Sequence, residues 1–128
     1  MRNILVHMID NEDWIVNWGI NNESTEYKRL KEADEYSEMK QVIDHLDRVE
    51  AKTKAYISSV TGKEDQEFVR RVTFTLRSGK SYDLSVEELL FQSFTEQLYH
   101  LGELIALLWQ ENIEPPVMQW FNNNPRQQ

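Results

Sequence analysis

The sequence predicts an all-α protein, a bundle built on three long helices with a small β-hairpin before the last of them. Two observations carry this. Three stretches repeat large apolar residues at spacings of three and four, the period of a helix with a buried face. One short stretch before the last of them alternates apolar and polar residues, the period of a strand. The 128 residues suit one domain, expected over 1–121, and suffice for a core without covalent staples. The Asn- and Gln-rich end, 122–128, is expected to be a disordered tail.

The first helix is expected over residues 2–18, from Ile4, Leu5, Met8, Ile15 and Trp18, with Gly19 at its C-terminus. Residues 20–36 are polar, lack a period and read as a loop. The second helix, 38–60, carries a stripe that includes Val42, Leu46, Val49, Tyr56 and Val60, with Ser37 as N-cap and Gly62 as terminator. Residues 68–76 read as a strand, because Val72, Phe74 and Leu76 alternate with Arg71, Thr73 and Thr75. Ser78 and Gly79 mark a turn, after which Tyr82 and Leu84 pair back. The third helix, 86–111, opens on a capping box of Ser85 and Glu88 and stops at Pro115 and Pro116. Its apolar residues cover so much of its circumference that burial on more than one side is expected.

Composition narrows the function. The net charge of -8 repels phosphate backbones, so nucleic-acid binding is not expected. No apolar stretch approaches the ~18 residues that span a bilayer, and His7, Asp10, Glu12 and Asp13 interrupt any signal-like start. A protein without membrane association, soluble and cytoplasmic, is expected. There is no cysteine, so a thiol, if used, comes from outside, and a metal site has to use His, Asp, Glu or water.

Only three histidines are present: His7, His45 and His100. Glu96 and His100 stand four apart on the third helix and project from one face, with Gln92 one turn before and Glu103 about one turn after. A carboxylate on an otherwise apolar helix is costly unless paired or bound to a cation, and a cation shared with His7 would relieve that cost. Three such ligands leave coordination positions open, the layout of a catalytic site. The spacing alone is weak evidence, since a Glu and a His four apart recur by chance. His7, among Ile4, Met8 and Ile9, has a hydrogen-bonded core residue as its plainer reading. His45, beside Asp44 and Asp47, reads as a solvated surface residue. Asp10, Glu12 and Asp13 read as a solvated face from which one carboxylate could brace His7. Trp14, Trp18, Trp109 and Trp120 read as core or interface anchors. Tyr99 is a candidate catalytic proton donor next to His100, with packing as its plainer role.

These residues resemble a known family. The run from Ile4 to Trp14, with its histidine, acidic residues and aromatic, resembles the second helix of the DinB/YfiT-like metalloenzymes. The run from Tyr36 to Val60 resembles that family's third helix. The run from Ser85 to Pro116, with Glu96, His100, Gly102 and the double proline in order, resembles its last. The resemblance implies a four-helix-bundle-like fold and a three-ligand metal site, which carries over to His7, Glu96 and His100. It implies a divalent metal (zinc first, with nickel, iron or manganese as alternatives), a homodimer, and for some relatives an external low-molecular-weight thiol used in transfer or isomerisation. The small-molecule substrate is left unknown. Two departures matter. Glu96 stands where the family usually has histidine, and Leu101 and Glu103 replace the polar pair around the glycine. The chain also begins where the family's second helix begins, so the family's first helix is expected either from a later-than-true start or from a partner chain. An uncovered groove of that size favours dimerisation. The alternative to a metal-dependent transferase or hydrolase is a catalytically inactive, metal-free dimer that kept the fold.

Overall fold

The structure, a computed structural model, describes residues 1–21, 27–76 and 78–116. The expected tail and Trp120 lie outside the described residues. Helix α1 spans Arg2–Glu12 and runs directly into a π-helical segment, Asp13–Ile20. A 3₁₀ turn, Ala33–Glu35, precedes α2 at Met39–Val60. A short α3, Glu64–Phe68, leads into the antiparallel strands β1, Arg71–Thr75, and β2, Ser81–Ser85, and α4 spans Val86–Gln110. The described residues are thus mostly helical, with a two-stranded hairpin before the last helix.

Local chemistry explains most boundaries. The α4 cap is reciprocal: Glu88 N–H donates to Ser85 Oγ at 3.1 Å, and Ser85 N–H donates to Glu88 Oε2 at 2.7 Å. At α2 the cap is Glu38, not Ser37; Gln41 Oε1 accepts from the N–H of both Ser37 and Glu38, at 2.8 and 3.3 Å. Gly62 ends α2 at a φ of 86°, where a side chain would be strained. The hairpin pairs Val72 with Leu84 and Phe74 with Tyr82, and Val72 and Phe74 turn inward.

Gly19 does not end the first helix, which continues to Ile20. A Cβ at Gly19 would lie 2.5 Å from Phe74 Cε2, so the glycine is where the hairpin's aromatic meets the helix backbone. Around this contact Ile15, Val16, Ile20, Tyr56, Val72, Phe74, Val86 and Leu89 form one core cluster. A second cluster joins Val6 and Ile9 to Tyr36, Val42 and Val49, fastening α1 to α2.

Helix α4 departs from expectation. It packs on α1 and on the π-helical segment, yet only Val86, Leu89, Ser93 and Leu104 are buried. Phe91, Phe94, Leu98 and Tyr99 are exposed, at 67%, 60%, 52% and 68%, so the described residues leave one side of α4 uncovered.

Candidate metal centre

His7 comes from α1, and Glu96 and His100 from α4, so the site depends on the register of two helices. That register is pinned beside it, where Gln97 Nε2 donates to the Met8 carbonyl at 2.9 Å. One ligand atom from each of His7, Glu96 and His100 lies within 4.8 Å of the other two. Ligand atoms about 2.1 Å from a shared cation stand somewhat closer, so small side-chain movements close the set. The two imidazoles meet edge to face, with centroids 4.5 Å apart.

The His100 ring is held in one tautomer. Its Nδ1 lies 2.8 Å from Glu103 Oε1, and a carboxylate there can only accept, so Nδ1 carries the proton. In the neutral ring the lone pair then falls on Nε2, which is buried and has no hydrogen-bond partner among the described residues. Glu96 Oε2 lies 3.4 Å from it. Glu96 is braced in turn by Gln92, whose Nε2 donates to Glu96 Oε1 at 3.0 Å. Carboxylate support behind a histidine is the usual backing of a metal ligand. His7 is exposed at the surface, not in the core, yet partial desolvation, then the nearby His100 and Arg29, push its pKa below its ordinary value, which favours the neutral, ligating imidazole. A buried, unpartnered imidazole nitrogen beside a carboxylate and a neutral histidine fits a divalent cation. Zinc accepts this donor set, as do the other divalent transition metals of the expectation.

A hollow of about 400 Å³ adjoins the site, walled by His7, Asp10, Asn11, Trp14, Tyr27 and Arg29, among others. Tyr99 stands beside His100, with ring centroids 5.2 Å apart, on the exposed face of α4.

Two sequence readings are corrected. His45 is not on the surface: it is 3% exposed. Its Nδ1 accepts from Arg48 Nη2 at 3.0 Å, which places the proton on Nε2, and Nε2 donates to Asp10 Oδ1 at 2.8 Å. Asp10 and Asp13 are not a solvated face either, since both are buried. Asp10 also pairs with Arg29 at 3.6 Å. Asp13 takes Lys52 at 3.4 Å, Arg48 at 3.9 Å, Asn17 Nδ2 at 3.3 Å and the Tyr27 hydroxyl at 3.3 Å. Glu12 is half-buried, and burial raises its pKa. A signal for His45 was present: with Val42, Val49 and Tyr56 it falls on the inward side of α2.

The chain matches the DinB family over residues 1–127 and belongs to that family. Searches of curated proteins and of solved structures return no significant match. No helix among the described residues is long and apolar enough to cross a membrane.

Proposed function

We propose that the protein binds one divalent metal ion, zinc first, through His7, Glu96 and His100, and acts as a metal-dependent transferase or hydrolase on a small molecule. The observation that carries this reading is His100 Nε2, buried and without a hydrogen bond, with Glu103 at the opposite nitrogen. Family membership supports it. When bound, the metal would supply a positive charge that holds an incoming thiol as thiolate, or water as hydroxide, near neutral pH. With no cysteine in the chain, that thiol is an external low-molecular-weight one. His7, Glu96 and His100 supply three ligands and leave room for it. Gln92 and Glu103 hold the α4 ligands in place, and the adjoining hollow gives a substrate somewhere to sit. Tyr99 is the candidate proton donor.

The working unit proposed is a homodimer. Its support is the apolar face of α4 that this chain leaves uncovered, together with an apolar groove of about 320 Å³ between α1 and α2 lined by Leu5, Met8, Met39 and Ile43.

Elemental analysis of tag-free protein beside His7→Ala, Glu96→Ala and His100→Ala tests the site. Near one metal per chain, lost in each variant, is expected. No metal after incubation with zinc, nickel, iron and manganese would instead leave the metal-free dimer as the reading, with Glu96 having cost the site its ion.

A further inference from the structure

We propose that the cleft between the π-helical segment, the middle of α2 and residues 27–30 is a second binding site, for a small organic anion bearing a carboxylate or phosphate. None of His7, Glu96 and His100 lines it, although Tyr27 and Arg29 also wall the hollow beside the metal site. The cleft measures about 690 Å³, a size common for small-molecule sites. Four cationic side chains line it, Lys28, Arg29, Arg48 and Lys52, against one carboxylate, Asp13. Such a grouping runs against the rest of a chain whose net charge is -8. A concave wall of one sign concentrates the potential felt by a ligand of the other sign.

The cations are only partly engaged by their neighbours. Asp13 draws on Lys52, Arg48, Asn17 and Tyr27 together, so Lys52 and Arg48 share one carboxylate, with Arg48 as far off as 3.9 Å. Asp10 and Glu32 pair with Arg29 from outside the lining, and Lys28 has no ion pair among the described residues.

Two further atoms in the lining residues await partners. Asn17 is 5% exposed, and its Nδ2 already donates toward Asp13, the Val49 carbonyl and Thr53 Oγ1. Its Oδ1 is buried without a hydrogen bond, and so is Arg48 Nε. Leaving such groups unpaired costs free energy, which an occupant with an acceptor for Arg48 and a hydroxyl or amide for Asn17 would recover. Trp18 and Tyr56, also in the lining, offer apolar surface for the body of the ligand.

Titration of the whole protein with phenyl phosphate, benzoate and uncharged benzamide, read by calorimetry and tryptophan fluorescence at low and high salt, tests the site. One equivalent of phenyl phosphate or benzoate is expected to bind saturably, more weakly at high salt, with no binding of benzamide. The tighter of the two anions identifies the head group. Lys52→Gln and Arg29→Gln are each expected to weaken binding about tenfold. Lys54→Gln, which pairs with Glu50 instead, and chelator treatment are expected to leave it unchanged. The proposal is overturned if neither anion saturates, if benzamide binds as well, or if Lys54→Gln loses as much as Lys52→Gln. A urea midpoint for Lys52→Gln equal to the parent's ties the loss to the cleft and not to unfolding.

Discussion

His45 Nε2 donates to Asp10 Oδ1 at 2.8 Å, and both side chains are sealed from solvent between α1 and α2. Replacing His45 with Ala removes this donor and leaves Asp10 with only the more distant Arg29 as ionic partner. Removing one partner of a buried hydrogen bond costs about 1–3 kcal/mol. His45→Ala is therefore expected to lower the urea midpoint markedly. A loss below about 0.5 kcal/mol, the range of surface substitutions, would mean the contact does not stabilise the fold.

Gly19 and Phe74 make a second sensitive contact. Gly19→Ala forces its Cβ to within 2.5 Å of the Phe74 ring, and overpacking of this kind costs about 1–3 kcal/mol. Calorimetry should show a lower melting temperature for Gly19→Ala and partial recovery in Gly19→Ala/Phe74→Leu. If the double variant is no better than the single one, the ring is not the obstacle.

Much of this architecture was legible in the sequence. The three long helices, the hairpin and the Ser85–Glu88 cap each rest on periodicity or local chemistry, and both act within a few residues. The grouping of His7 with Glu96 and His100 drew on the cost of a carboxylate on an apolar helix and on family likeness, because no spacing rule links α1 to α4 across 89 residues of chain, the separation of Met8 from Gln97. His45, Asp10 and Asp13 were misplaced for a different reason. Charge and polarity predict exposure residue by residue, whereas these groups are buried as a mutually satisfied set whose partners lie on different elements. Gly19 was misread because its constraint comes from Phe74, which no local pattern couples to it.

Glu103 offers a test of the metal centre that leaves all three proposed ligands intact. Its carboxylate holds the proton on His100 Nδ1. Glu103→Ala is expected to weaken zinc affinity about 10- to 100-fold, measured by competition with a chromogenic chelator. Unchanged affinity would show that Glu103 does not orient the ligand.

Tyr56 gives the protein an alkaline limit. Its hydroxyl donates to Glu67 Oε1 at 3.1 Å, and burial, followed by the charge of Glu67, pushes its pKa up from 10.0 to about 12. The folded state thus holds this proton more tightly than the unfolded chain. The resulting stabilisation is fully present below pH 10 and is lost as pH rises through about 12. Urea midpoints between pH 9 and 12 should fall more steeply for the parent than for Tyr56→Phe. Parallel slopes would assign the alkaline loss to other groups.

The uncovered face of α4 bears on assembly. Phe91 and Phe94, both exposed, would be shielded in the proposed homodimer. Sedimentation velocity is expected to show a dimer for the parent and a monomer for Phe94→Glu. A parent that stays monomeric at high micromolar concentration would rule the homodimer out.

The π-helical winding of Asp13–Ile20 affects how this chain can be compared with its relatives. Each of its turns takes up more residues than the 3.6 of an α-helix. Equivalences anchored at His7 hold through Glu12 and then drift around the axis when laid residue by residue onto an ordinary helix. Against a relative with an ordinary α-helix at this place, matching positions beyond Asp13 calls for an insertion within the segment. Without it, Asn17 and Trp18 would be equated with positions that face a different neighbour.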